Sequence, residues 1–574
     1  MNPPSTSVTW RIYFFVHISL AIDICPYSLH PNNVTALFQP ISAMYLSNRF
    51  LISLLLLFFT ASSCRKDFEE INANPFNPTQ TSMEALFNGV LASLPLGWNE
   101  QFYLHNETLY DLTQQGALIS RAWPNIRIGV DEVWDNYYTT LRNIRALEQR
   151  FDQYAGTPEE LDNVRAMLKI LLAYKTFKVT DLFGDIPFFD AGRGSEAGAA
   201  LRPKYDKQED IYRFLMSELE WAASHLHLEP NTPGGKPYYS FRQFDTLLKS
   251  DLNAWRRWAN ALRLRHAMRM AEKDPSFAGK IIKEIVDNKL PIVQSGQEIC
   301  LWPRQLGVAF ESRHWSFREH KGLRMGTTIW KQLAVHDSID GSGIIDPRAY
   351  VFFETNNKSE WRAFPNNPGT NPPLEGGIPY NGGRDYNFSV KGSACKFSPF
   401  HYYLIRDEFD VPEILMSAAE GHFIKAEAYK RGIGLPQDNF SADAEYAEGI
   451  KASIKFWYSV VEKTQRWTEE KPVPPTDGEI YRYIYHPKIS FSGNGFNLEL
   501  IYAQRWLDLF RQPWEAYALA RRTGQTPREG GPLTYNRLTY PASESEYNQL
   551  NWSAQVTAMG GKDVKETKVW WMKE

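Results

Sequence analysis

The chain has 574 residues, with 63 Lys and Arg against 66 Asp and Glu and a formal net charge of −3, so it carries no polybasic footprint for nucleic acid. Its four cysteines exclude a disulfide framework; Cys300 and Cys395 alone fall in the body of the chain, where they can pair in an oxidising envelope or stay as thiols. Aromatic residues make up 14%, with 18 Trp and 29 Tyr, side chains that fill gaps between helices and whose flat faces and polar edges also suit sugar rings and interfaces.

The first element is a leader. Phe50 to Phe59 is apolar except for Ser53, and the small residues Ala61, Ser62 and Ser63 precede Cys64. Such a run is too short to cross a bilayer, because a helix rising 1.5 Å per residue needs about 20 residues to do so. Residues 44–63 therefore read as a lipoprotein signal peptide, removed so that the thiol of Cys64 takes a diacylglyceryl anchor. The cationic head belongs immediately before the apolar core, and Met44 to Arg49 supplies it. Translation is expected to begin at Met44, with residues 1–43 an annotation artefact; the alternative is a genuine extension. Arg65 to Glu70 follows as a charged tether.

Residues 64–574 read as one domain in three stretches. In the first, 64–289, apolar residues recur three and four apart over Val133 to Phe151, Leu161 to Phe183, Ile211 to Leu226 and Leu252 to Ala271. These are expected to be amphipathic helices, joined by short Gly/Pro or polar connectors into stacked, TPR-like helix hairpins without a strict repeat. The second stretch, 290–410, is an irregular insert whose turn-forming runs, such as Asn366 to Gly377, cannot sustain long helices. The third, 411–574, predicts helices over Pro412 to Arg431, Ala444 to Val461 and Leu498 to Arg522, then a tail; Ala418, Ala419, Gly421, Ala426 and Ala428 are small enough for a partner helix to approach closely. The fold class is all-α with a loop-rich insert.

Catalytic and cofactor motifs fail their spacing tests. There is no His-Glu-x-x-His helix, P-loop or Gly-x-Ser-x-Gly elbow, and Gly432-Ile-Gly434 lacks the third glycine and the preceding strand of a dinucleotide site. Asp337 to Gly343 resembles a calcium loop, but Ile339 stands where an oxygen ligand is required, so an Asp-Gly turn is expected instead. Glu420, His422 and Glu427 read as a solvated or hydrogen-bonded helix face, and His266 as a core histidine. No cofactor is expected, and no carboxylate pair is placed for glycoside hydrolysis.

Six blocks occur in one order: Tyr174 to Pro187 with Leu-Phe-Gly-Asp-Ile-Pro at its end; Pro203 to Tyr212; Trp258 to Arg269; Ala418 to Glu420 with Glu427 and Ala428; Gln504 to Gly524; and Arg537 to Pro541 with Glu544, Asn548, Asn551, Ala554, Trp570 and Trp571. In the first, Gly184 suits a left-handed cap and Pro187 stops the helix; in the second, Asp206 and Glu209 suit a capping box. Together they resemble the SusD/RagB family of outer-membrane nutrient-binding lipoproteins, and the charged run after Cys64 is similar to the surface-export signal of Bacteroidetes-type lipoproteins. The resemblance implies a surface-exposed, lipid-anchored binding protein, not an enzyme. It would deliver oligosaccharides to a partner TonB-dependent transporter of the SusC kind. Peptides, as in the RagB branch, are the alternative ligand, and a surface glycan hydrolase the remote one.

Ligand residues are expected in loops that join a stacking ring to hydrogen-bonding groups. Arg121, Trp123 and Asn125 form such a set just before a helix, broadly where the resemblance implies part of the glycan site. Trp361, beside Arg362 and the Asn-rich turn, is the second candidate and Trp315 the third.

Overall fold

The computed structural model describes residues 82–573, apart from 121, 229–240, 308, 311–315, 317–321, 368–372, 374–394, 407–408, 466–469 and 492–496. Helices dominate, as the periodicity requires. After α1 (Met83–Leu91) comes a π-helix (Glu100–Leu109), followed by α2 (Ile126–Asp152), α3 (Asp162–Phe183), α4 (Gln208–His225), α5 (Leu252–Met270) and α6 (Pro275–Asp287). Consecutive members of α2 to α6 pack against each other, the hairpin array expected from their apolar stripes. The second array holds α8 (Ala418–Arg431), α9 (Asn439–Lys463), α10 (Asp477–Ile484), α11 (Asn497–Asp508), α12 (Pro513–Thr523) and α13 (Gln549–Ala558), and α5 packs on α8 to join the two. Between them lie short elements, among them α7 (Thr327–Leu333). Two antiparallel two-stranded ladders complete the frame: β1 (Ala117–Leu118) with β3 (Leu323–Arg324), and β2 (Ile299–Leu301) with β4 (Glu413–Met416).

Several local expectations are corrected. The helix expected from Pro412 begins only at Ala418: Glu413 to Met416 pair with β2 instead, and the Ser417 hydroxyl caps the helix by accepting the Glu420 N–H at 3.1 Å. The helix expected over Leu498 to Arg522 breaks into α11, a 3₁₀ turn and α12, because Pro513 has no N–H to give and fits the first turn of a new helix. Asp206 does not cap α4. Its carboxylate accepts the N–H groups of Phe188 and Phe189, both at 2.9 Å, while Asp185 reaches across to the Gln208 N–H at 2.8 Å. Gly184 has φ +85° and ψ −129°, outside the left-handed cap and in a region open essentially to glycine alone. The small residues of α8 do admit a close neighbour, since α9 lies against them with Gly449 facing Phe423.

Of the two readings of the polar face of α8, solvated or hydrogen-bonded, the second holds for its glutamates, which are buried. Glu420 and Glu427 are both 0% exposed. Glu420 accepts from Arg265 Nε at 3.0 Å and from Arg505 at 2.6 Å. Glu427 takes a fork of two 2.6 Å bonds from Arg522, another from Arg431 at 2.9 Å and the Tyr502 hydroxyl at 3.0 Å. Arg269, one turn along α5 from Arg265, pairs with Asp181 of α3 and Glu515 of α12. Asp181 also accepts Trp571 Nε1 at 2.7 Å, which ties in the C-terminal tail. His266 is a core histidine as expected: Nδ1 bonds the Leu262 carbonyl at 2.9 Å, the ring stacks on Phe177, and burial holds its pKa well below the usual range. His422, the exception on α8, is half-buried and pairs with Glu445 at 2.6 Å. Cys300 and Cys395 are buried thiols without a cross-link.

The ionic groups make two predictions. Burial raises the Glu427 carboxyl, but the facing Arg522, its fork of bonds and Arg431 outweigh this and hold it at about 2, against 4.5 ordinarily. Its contribution to stability is therefore complete above pH 4.5 and lost as pH falls toward 2. Glu427→Gln leaves buried guanidinium groups without a counter-charge and is expected to cost about 3–5 kcal/mol in urea unfolding at pH 7. Asp508 behaves oppositely. Burial pushes its carboxyl up to about 6 despite hydrogen bonds from Ser417 and Ser453, so its contribution is present below pH 3.8 and lost as pH rises through 6. Unfolding measured from pH 4 to 7 should show Asp508→Asn gaining on the parent by up to about 3 kcal/mol.

Candidate functional site

The β1–β3 ladder brings the loop after β1 against the start of α7, with the Ile119 N–H donating to the Gly322 carbonyl at 2.9 Å. Three polar side chains clasp this region to segments distant in sequence. Gln114, at φ +57°, accepts the Thr328 hydroxyl at 2.6 Å and the Glu529 N–H at 2.8 Å, while its amide donates to the Glu529 carbonyl at 2.9 Å. Asn366 donates to the Gly116 carbonyl at 2.8 Å and accepts the Thr328 N–H at 2.9 Å. Glu529 accepts the Thr327 hydroxyl at 2.9 Å and pairs with Lys331 at 2.7 Å. The loop carrying the first candidate residues thus stands on a braced base.

Trp123 is half-buried and meets Tyr535 edge-to-face, with ring centroids 6.0 Å apart. Tyr535 is itself held, its carbonyl accepting the Tyr517 hydroxyl at 2.7 Å and its ring lying 5.3 Å from Lys565 Nζ. Burial, and secondarily the Glu566 carboxylate, raise the Tyr535 phenol pKa, so it stays a neutral hydrogen-bonding group. The Trp123 indole N–H is buried with no hydrogen-bond partner among the described residues. Asn125 is exposed at the N-terminus of α2 and does not use its side chain to cap that helix. A ring with a partly open face beside an unengaged amide can stack on the C–H face of a pyranose and bond its hydroxyls.

The other candidates separate from this pair. Arg121 and Trp315 lie outside the described residues, as does Cys64. Trp361 is buried: 7% exposed, stacked parallel to Trp330 at 5.9 Å and edge-on to Tyr350 at 5.7 Å. It is a packing residue, and its removal should leave a cavity rather than an empty sugar platform. The calcium-like loop closes as a turn, with Asp340 accepting the Ser342 N–H at 2.9 Å, and no group of three or more metal-ligating side chains occurs among the described residues. Tyr535, Gln114, Asn366 and Glu529 were not singled out in the sequence; only the turn-forming composition around Asn366 hinted at a role.

Residues 75–534 match the SusD-like family described as "Starch-binding associating with outer membrane". The chain belongs to that family. Solved structures agree in fold. A chitin-binding protein is 22% identical with a TM-score of 0.65, and a Bacteroidetes SusD-like protein 21% identical with a TM-score of 0.65, each match covering 86% of this chain and 100% of the other. A SusD homolog from Bacteroides fragilis is 20% identical with a TM-score of 0.62 over the same shares. Comparison with curated proteins finds no match. No described helix of this SusD-like chain is long and apolar enough to cross a membrane.

The two tryptophans should respond differently to truncation. Trp361→Ala is expected to lower the unfolding free energy by about 3–5 kcal/mol, as for a large buried aromatic. Trp123→Ala should cost clearly less in the same denaturant titration, because its ring is only half withdrawn from water.

Proposed function

We propose that this protein is a surface-exposed outer-membrane lipoprotein that binds oligosaccharides at the Trp123 loop and hands them to a SusC-like TonB-dependent transporter. The observation carrying the ligand assignment is the Trp123 ring, half-buried on a braced loop beside the exposed Asn125, whose side chain is not spent on capping α2. The family description supports a glycan as the ligand class. Binding here needs no chemistry beyond stacking and hydrogen bonding, so the protein acts as a receptor and not as a hydrolase. The Cys64 lipid would keep it at the membrane, and energy for uptake would come from the transporter.

Titration calorimetry against panels of neutral oligosaccharides and peptides tests the ligand. Trp123→Ala should weaken glycan binding by about 1–3 kcal/mol, roughly what one stacked aromatic supplies. Saturable peptide binding with no sugar response would replace the glycan reading by the peptide one. For the anchor, Cys64→Ala should abolish incorporation of labelled palmitate and move the protein out of the membrane fraction; an unchanged fraction would remove the lipid tether from the proposal.

A further inference from the structure

A second groove lies on the other side of α7. It encloses about 480 Å³, within the usual range for small-ligand sites, between a wall running from Ile344 to Tyr350 and a strap containing Val473, Pro474 and Pro475. Tyr350 is 43% exposed, and its hydroxyl makes no hydrogen bond among the described residues. Val473 is 78% exposed. The flat apolar faces are thus left open to water, and hydrogen-bonding groups stand among them. Arg482 is exposed, with Glu479 as an ionic neighbour at 3.9 Å, and the half-buried His486 uses Nδ1 to accept the Lys488 N–H at 3.2 Å, its Nε2 having no hydrogen-bond partner among the described residues.

Both walls are held rigid by buried or closely bonded groups. Behind the first, Asp346 and Arg348 form an ion pair at 2.7 Å with both side chains 0% exposed. The Tyr483 hydroxyl donates to Asp346 at 2.7 Å, Arg348 donates to Ser453 at 2.9 Å, and the Tyr458 hydroxyl donates to the Pro347 carbonyl at 2.9 Å. The strap is pinned by Lys471, which donates to the Thr464 carbonyl at 2.6 Å, and by the capping box in which Thr476 and Glu479 exchange bonds at the start of α10. A fully buried ion pair is costly to desolvate and does little for stability by itself. Here it fixes the wall that carries Tyr350, which is what a preorganised site needs.

We propose that this groove is a second carbohydrate subsite, in which a neutral pyranose ring lies against Tyr350 and the proline strap with its hydroxyls on Arg482 and His486. The lining fits a neutral ring better than a charged one, because Arg482 and Glu479 offset each other and no cluster of one sign is present. At the N-terminus of α7, Thr327 and Thr328 are bonded to Glu529 and Gln114 of the clasp, and Ala334, just past its C-terminus, bridges to Ile344 of the groove wall. The seven residues of α7 span about 10 Å between that clasp and the groove wall, and the ligand proposed here is a glycan of several units that reaches from the groove toward the Trp123 loop. The inference rests on the glycan reading above and deepens it: the preferred ligand is a chain, and the groove selects for its length.

The test is titration calorimetry of the full mature chain with neutral glycans, namely maltose against maltoheptaose and chitobiose against chitohexaose. Tyr350→Ala and, separately, the exposed Arg482→Ala should weaken binding of the long member about ten-fold while leaving the short one unchanged; Trp123→Ala should weaken both. Both groove variants equal to the parent at every length, with Trp123→Ala still defective, overturns the second subsite and leaves the first. Parental protein that binds none of the four overturns both readings. Groove variants that bind every glycan normally but no longer co-purify with the neighbouring transporter assign the groove to a protein contact and overturn the proposal.

Discussion

The structure depends on one constraint: the guanidinium and carboxylate groups between its two helical arrays are withdrawn from solvent and must satisfy one another. Arg265 and Arg269 lie one turn apart on a single face of α5 and reach three other helices, through Glu420 of α8, Glu515 of α12 and Asp181 of α3. An ion stripped of its partner in such a place costs several kcal/mol, so no one of these helices can be displaced without stranding a charge on another. The N-terminal and C-terminal arrays, far apart in sequence, are thereby forced into one cooperative frame.

The tail belongs to the same frame. Trp571 reaches Asp181, the Leu538 N–H donates to the Leu182 carbonyl at 2.8 Å, Arg537 Nε donates to the Phe183 carbonyl at 2.9 Å, and the Tyr540 hydroxyl donates to the Asp185 carbonyl at 2.6 Å. Each bond ends on the Asp181 to Pro187 block that carries part of the family resemblance. The blocks occur together in sequence because they touch in space. They mark the fold and not the ligand, since the groups they contain are engaged with one another.

Legibility followed the same physics. α2 and α4 were readable because one face meets water, and their boundaries came within a few residues except at the start of α2. The β4 strand was not: Ile414-Leu415-Met416 continues the apolar run into α8, and only pairing with β2, over a hundred residues earlier, separates strand from helix. Glu420 and Glu427 look like an exposed face in any sequence window, because the arginines that bury them lie on α5, α11 and α12. Trp123 stands out as a candidate from its local company of Pro124 and Asn125. Its companion Tyr535 and the clasp of Gln114, Asn366 and Glu529 do not, since apart from the bond between Asn366 and Thr328 these contacts join segments far apart in sequence. Trp361 misled for the converse reason: beside Arg362 it reads as a loop ring, and nothing nearby in sequence announces the stack on Trp330.

A division of labour among polar groups follows from the frame. A chain whose net charge is only −3 nevertheless holds many charges, and at its centre Arg265, Arg269, Arg505 and Arg522 each face a carboxylate. Such groups cannot turn toward a ligand without leaving a partner stranded. In the function proposed above, recognition falls to groups outside the lattice: the Asn125 amide, the Trp123 ring and the rim of the groove that carries Arg482 and His486. Because these do not hold the frame together, substitutions among them alter affinity with little change in stability. A fold held from within by its own charges thus leaves its binding loops free to diverge in ligand while the frame beneath them stays the same.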